Sequence, residues 1–593
     1  MEADVKMPVR NLCLIISGIG SLVFYGIFYY NHLYQREQLQ LFQLTIPYLF
    51  KNLAVQGGFS IWLGEFLTQF FRVPFAGAVI ITSLLFLLQR ATEKILSLTP
   101  GGRQLQLYSL IPPAGYFFLL ADQYYYLSGL IGLDLSLLGI LILMRSSKPG
   151  FRIPACILTM AALYWLTGAG YIVFALVSVI LILFSGEEIT LKGGLRASLV
   201  YSGLLTIIAV AIPLAARKYL LTDTLLQSYV SEAWYAVRIF FPLPLVLVLL
   251  SVPLLAGLSL LIPSGLHVRQ LRLVNGVFFI LVSAVSVYGF SRLVDSREER
   301  TIRYENLVYD RKWDRIIKTA QKDMPSGMVP VAAVNLALAE TGQLPGRMFD
   351  FDQGKDFLFI NYVRKGMTPF MASETYYYLG LVNFSQMYAL ETIESTVDAK
   401  IPIRSVRRAA ETFLLNGQYA TALKYLSLAR NTVFYRRWAD KYISMINSDP
   451  VKNDDGELDK ISRLMPKYDF YYDYRRMDIA LKYLLVSNPE NKLAAEYLAA
   501  FYLLNKDLDG FLQSLDILKK LYGDNLPVAC QEAIAYVLTR VPQRSEELAP
   551  MITDRSVVSR LQSYARLFSE SGSDTLKMER EFGRSYWFYL HYR

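Results

Sequence analysis

Up to about residue 292 the chain passes through one apolar stretch after another, many near 20 residues long; beyond that point no stretch is long enough. About 20 residues of α-helix cover the ~30 Å of bilayer hydrocarbon. Inside a bilayer the backbone must satisfy its own hydrogen bonds, so apolar runs of this length commit the first half to membrane helices. The composition agrees: the 593 residues are 53% hydrophobic and only 19% charged, with mean hydropathy +0.30. That is too apolar for an average soluble protein.

Nine spans are expected, at 11–30, 73–92, 105–121, 127–144, 152–167, 169–184, 196–215, 241–262 and 273–292. The fifth and sixth meet at "LTGAGY", Leu166 to Tyr171, where a Gly-Ala-Gly tip suits a tight helical hairpin. One long helix through this stretch would reverse the sidedness of everything after it. Lys6 and Arg10 precede the first span, which is too long for a signal peptide and lacks an A-x-A site, so it reads as an uncleaved anchor. The short loops carrying Arg90, Lys94 and Arg103, then Arg145, Lys148 and Arg152, then Lys192 and Arg196, then His267, Arg269 and Arg272 fall on the side of the N-terminus. Clustered basic residues mark the cytoplasmic side. The opposite side, in a bacterium the periplasm, receives the loop 31–72, the "ADQYYY" loop, the loop 216–240 and the second half.

A pI near 9.1 invites thoughts of nucleic acid. The surplus argues otherwise. Up to residue 292 there are 19 Lys/Arg against 11 Asp/Glu, and after it 41 against 39. The excess sits in short membrane loops, with no basic stripe, so no nucleic-acid partner is expected. Cys13, Cys156 and Cys530 form no C-x-x-C, and His32, His267 and His591 are far apart, so disulfides and a histidine metal site have little support. Nucleotide-binding and hydrolase fingerprints are absent.

The first outer loop has pattern of its own. "EQLQLFQLTIPYLFKNL" places Leu39, Phe42, Ile46, Leu49 and Leu53 at helical spacing, with Pro47 expected to break or kink it. After Gly57-Gly58, "WLGEFLTQFF" puts Trp62, Leu63, Phe66, Leu67 and Phe70 on one flank and Glu65 and Gln69 on another. Two short amphipathic helices in the membrane interface are expected.

Residues 296–593 read as helix after short helix. "AAETFLLNGQYATALKYLSLARN" sets Ala410 and Phe413 on one helix, a turn at Gly417-Gln418-Tyr419, and Ala422, Leu426 and Ala429 on the next. This alternation of small and large residues resembles a tetratricopeptide (TPR) repeat; looser copies surround Ala499, Tyr502, Leu508, Phe511 and Leu515, and Tyr304, Leu307, Trp313 and Ile316. Stacked repeats present a concave surface for a peptide or a neighbouring domain. Tyr471 and Tyr474, in "KYDFYYDYRR", are partner-binding candidates, weighed against the commoner role of tyrosine as filler between helices. The terminal "SYWFYLHYR" is too short to span and is expected to dock on this domain.

Several polar residues collect at the outer surface: Arg36 and Glu37 after span one, Glu65 and Gln69 on the second interfacial helix, Asp122 after span three, Arg217 and Lys218 after span seven, and Arg238 before span eight. A carboxylate can deprotonate an acceptor hydroxyl, and arginine grips phosphate in a bidentate manner. Such residues also end helices or meet lipid headgroups with no chemistry at all.

An acid soon after a first span, two interfacial helices and a second acid after span three resemble the layout of membrane glycosyltransferases of the GT-C fold. The resemblance covers about 210 residues. It implies an all-α membrane domain (residues 1–295) bearing a soluble repeat domain (296–593), and an enzyme taking a sugar from a polyprenyl-phosphate-linked donor. It puts Glu37 and Asp122 at the two acidic positions. Arg36, Glu65, Gln69, Arg217, Lys218 and Arg238 are substrate- or phosphate-binding candidates without a motif behind them. The family's first loop carries two adjacent acids, and here the pair is Glu37-Gln38. No cofactor is identified; a divalent metal follows only on the catalytic reading. The whole chain also resembles an uncharacterised bacterial family of polytopic membrane proteins ending in helical repeats, which supplies no activity. The alternative is a non-catalytic inner-membrane scaffold whose repeats bind periplasmic proteins or peptides in envelope assembly. A transporter finds one candidate residue, Asp134, the only acid placed within a span.

Overall fold

The computed structural model describes residues 7–146, 151–184, 194–222, 224–230, 234–235, 242–261, 296–354, 357–360, 368–396, 400–447, 456–468, 476–571 and 574–593. Among them the chain is helical, with no strand and one isolated bridge between Tyr125 and Tyr235. It divides into two units: Met1–Glu299 with Val397–Lys400 and Asn431–Arg436, and Arg300–Thr396 with Ile401–Arg430 and Arg437–Arg593.

The helices of the first unit are α1 (Met7–Val23), α2 (Tyr30–Gln38), α3 (Ile46–Leu53), α4 (Gly58–Thr68), α5 (Ala76–Ser97), α6 (Ile111–Leu120), α7 (Leu127–Ser146), α8 (Arg152–Thr167), α9 (Gly170–Phe184), α10 (Gly194–Tyr219), α11 (Leu225–Tyr229) and α12 (Leu243–Leu261). Four stretches are long and apolar enough to cross a membrane: Asn11–Phe28, Leu127–Arg145, Arg196–Tyr219 and Leu243–Leu261. Helices α5, α8 and α9 fall where three more spans are expected. The expected span 273–292 lies outside the described residues.

Two expectations change. The segment 105–121 is not one helix: Gly102–Leu110 is 3-10, and α6 begins only at Ile111. Pro112 and Pro113 explain the junction, because proline offers no N–H to a preceding turn but is accepted in the first turn of a new helix. Likewise Leu39–Thr45 is not helical. Thr45 is extended (φ −134°, ψ 149°) and its hydroxyl accepts the N–H of Tyr48, so Pro47 lies in the first turn of α3 rather than kinking a longer helix.

The Gly-Ala-Gly tip ends α8 and begins α9. Gly168, at φ 65°, takes the left-handed turn. A Cβ on Gly170 would stand 2.4 Å from Ser136 Oγ and 2.8 Å from the carbonyl of Gly132, so glycine lets α9 meet α7 closely. The Trp234 indole donates to the Thr167 carbonyl (3.0 Å) and closes the end of α8.

In the second unit, helices follow in pairs across short turns: Thr368–Leu379 with Val382–Ser395 through Gly380 (φ 87°), Ile403–Leu415 with Tyr419–Arg430 through Gly417 (φ 69°), and Met477–Ser487 with Lys492–Leu504. Ala410, Phe413, Ala422, Leu426 and Ala429 are buried, as are Ala499, Tyr502, Phe511 and Leu515. The C-terminal Tyr586–Tyr592 helix is docked in the core of this unit. Its Trp587 indole donates to the Glu532 carbonyl (2.8 Å), and the Tyr586 N–H donates to the Glu532 carboxylate (2.7 Å).

Candidate functional site

The sequence around Glu37 is shaped by the end of the first span. A π-turn over Phe24–Phe28 precedes α2, and the side chains beyond it converge on the last carbonyls of α6. Helix C-termini leave such carbonyls without intrahelical donors. The Tyr25 hydroxyl donates to the Phe117 carbonyl (2.5 Å) and the Tyr29 hydroxyl to that of Ala121. Arg36 donates through Nη2 to the carbonyls of Leu120 (2.8 Å) and Asp122 (2.6 Å). A guanidinium there also complements the negative end of the helix dipole.

Glu37 turns elsewhere. Its carboxyl is 3% exposed, and the Tyr435 hydroxyl donates to Oε2 at 3.4 Å. The Arg72 guanidinium lies 4.8 Å from the centre of the Tyr435 ring. Burial pushes the Glu37 carboxyl upward, the Arg72 charge and the Tyr435 hydrogen bond pull it down, and it settles at about 7. Asp122 is half-buried. Its Oδ1 accepts the Tyr124 N–H at 3.0 Å; burial raises its carboxyl above the ordinary range, against the opposing pull of that N–H and of Arg36. The two expected acids therefore flank one arginine, Glu37 as its sequence neighbour and Asp122 through its carbonyl.

His32, one turn before Arg36, is 5% exposed and stacks on Tyr29 with ring centres 4.2 Å apart. It pairs with Glu299, whose carboxylate also accepts from Asn31 Nδ2 at 2.6 Å. Burial opposes charge on this imidazole, but Glu298 and Glu299 together outweigh it and hold it above its ordinary value.

Glu65, on α4, accepts from the Tyr48 hydroxyl (2.6 Å) and stands 3.5 Å from Lys400 Nζ. The same ammonium lies 3.7 Å from the centre of the Tyr126 ring, so Lys400 links α4 to the loop after α6. Gln69 is buried in a 3-10 turn, and its amide donates to the Phe66 carbonyl (3.3 Å). Arg217 and Lys218 are exposed on the last turn of α10. Arg238, Tyr471 and Tyr474 lie outside the described residues.

Sequence reasoning missed Arg72, Lys400 and Tyr435. Arg72 had a signal: it is the one cation closing the aromatic helix "WLGEFLTQFFR". Tyr435 had none, standing 398 positions from Glu37.

A second polar cluster, also missed, lies buried within the second unit. Arg404, Arg407, Arg408 and Glu411 project from the Ile403–Leu415 helix at helical spacing. Glu411 accepts from Arg407 Nε (3.0 Å) and Arg408 Nη1 (2.8 Å), and Arg408 also reaches Glu374. Arg404 stands 3.7 Å from Glu305 and 3.6 Å from Glu374. The Arg408 guanidinium covers the Tyr377 ring at 3.5 Å. These charges answer one another, as a framework does; the Glu37 site is sparser.

No curated protein matches the chain, and no solved structure does. Residues 6–593 match the model of DUF6057, a family of unknown function, and the chain belongs to that family.

Proposed function

We propose that the chain is a bacterial inner-membrane protein of about nine spans, its N-terminus cytoplasmic and its second unit a periplasmic TPR-like domain. On this reading the first unit is a GT-C-like transferase using a lipid-phosphate-linked sugar in envelope glycan assembly. One observation carries it: Glu37, buried near the end of α2, accepts from the Tyr435 hydroxyl at 3.4 Å beside Arg72, and burial pushes its carboxyl up to about 7. Such a group is divided between acid and base at neutral pH, the condition for general base catalysis. Two short helices, α3 and α4, follow it, with Ile46 and Phe50 of α3 exposed. Glu37 takes the proton of an acceptor hydroxyl, and Asp122 and Arg36 shape the field beside it. Arg217, Lys218 and Arg238 are the remaining cations for a donor phosphate. A divalent metal does not fit: Glu37 already faces the Arg72 cation, Asp122 is turned to a backbone N–H, and no group of three His, Cys, Asp or Glu among the described residues suits a metal ion.

The test is a deletion strain complemented with Glu37→Gln, with membrane levels checked by immunoblot. Loss of envelope glycan at a normal protein level is the expected result. Full complementation ends the transferase reading.

A scaffold reading has its own observation. Ile479, Tyr483 and Val486 form an exposed stripe along the Met477–Ser487 helix, and Tyr468 is 82% exposed. A photo-crosslinker at Val486 that captures no other protein in cells counts against it.

A further inference from the structure

Asp134 is the single Asp or Glu in the four candidate spans. It lies on α7, which packs on α4, α5, α8 and α9, and it is 2% exposed. Among the described residues neither of its carboxyl oxygens has a hydrogen-bond partner. No charged side chain of those four helices acts on it: Glu65 of α4, Arg90, Glu93 and Lys94 of α5 and Arg152 of α8 leave it untouched, and α9 carries none. The Tyr116 phenol of α6, which feels the Asp134 charge, is 1% exposed, and its hydroxyl has no partner among the described residues.

An unpaired carboxylate in such surroundings costs several kcal/mol, and a carboxylic acid that donates to nothing is also unfavourable. Leucine would fill the position at neither cost, so Asp134 adds nothing to the fold. Ionisable groups within membrane spans mark proton or ion sites. We propose that Asp134 is a proton-binding site inside the membrane unit, distinct from the Glu37 site. The Asp134 carboxyl releases one proton to water and takes it back.

Dicyclohexylcarbodiimide tests this on the full chain in lipid nanodiscs. The reagent adds a carboxyl O–H across its C=N bond, so it reports protonated acids in apolar surroundings. The adduct, mapped by peptide mass spectrometry, is expected on Asp134 at mildly acidic pH and is expected to fall about tenfold per pH unit once the acid titrates. A flat pH profile, or no adduct on Asp134 while the denatured chain reacts, overturns the proposal.

Discussion

Two buried glutamates, one in each unit, show opposite behaviour at almost equal burial. Glu37 is 3% exposed and Glu411 is 2% exposed. Burial pushes both carboxyls upward. At Glu37 one guanidinium and one long hydroxyl bond oppose it, and the acid stays near neutral pH. At Glu411 three guanidinium groups, Arg407, Arg408 and Arg311, overcome it and hold the carboxyl below its ordinary value. Burial sets the cost of a charge, and the number of close cations decides whether the charge survives. A framework needs the second arrangement. A group that must pick up and lose a proton needs the first.

The largest effect should come from unbalancing the framework. Arg408→Met strips Glu411 of one donor and Glu374 of another. Breaking one side of a buried pair costs about 3–5 kcal/mol, since the remaining charge is left uncompensated. Amide hydrogen exchange across Ile403–Leu415, followed by mass spectrometry in detergent, reads that loss directly. A change under about 1 kcal/mol would mean the cluster is wetter than it looks and that the contrast with Glu37 is false.

Glu37→Gln should act in the opposite direction, and only above acid pH. The folded-state pKa of about 7 exceeds the ordinary 4.5, so wild type gains stability from Glu37 below the ordinary value and loses it as pH rises through 7. Glutamine does not titrate. The variant should therefore gain on wild type between about pH 4.5 and 7, by up to about 3 kcal/mol, and keep that lead at higher pH. Thermal unfolding of both proteins in the same detergent across that range checks the sign. A variant that loses ground on wild type at alkaline pH would put a full carboxylate beside Arg72 and remove the base from the proposed chemistry.

How far the sequence carried follows the same physics. Apolar length is a local property, so α1, α7, α10 and α12 were legible from hydropathy, and α3 and α4 from helical spacing. Proline chemistry is local too, yet both differences concern it: Pro47 reads as a break or kink and Pro112-Pro113 as the interior of a span, whereas each lies near the start of a helix. Glu37 could be singled out by its place after the first span. Its partners could not, because Tyr435 and Lys400 come from short segments hundreds of positions away that fold with the first unit. Arg404, Arg407, Arg408 and Glu411 are readable, four charges at helical spacing on the Ile403–Leu415 helix. Charge on a helix ordinarily means a solvated face, and spacing alone does not tell a buried cluster from one.

The smallest expected effect is the sharpest test, because it lies inside the framework. Glu305 is fully buried, and its nearest cation, Arg404, stands 3.7 Å away and is shared with Glu374. Burial pushes the Glu305 carboxyl up, Arg404 pulls it down, Glu374 pushes it up again, and it settles at about 8. By the rule drawn from Glu37 and Glu411, one shared guanidinium is too few, so Glu305 is largely protonated at neutral pH even among arginines. Glu305→Gln then replaces a neutral acid by a neutral amide of the same shape and should cost less than about 1 kcal/mol near pH 4.5, where the wild-type side chain keeps its proton in the folded state and begins to lose it only in the unfolded one. Between the ordinary 4.5 and about 8 wild type loses stability and the variant does not, so the difference should turn in favour of glutamine across that window and level off above it. Exchange over Ile403–Leu415 serves again as the readout. A loss at neutral pH as large as that of Arg408→Met would show Glu305 to be an ionised partner of Arg404. Counting close cations would then fail to separate a framework carboxylate from one free to exchange its proton.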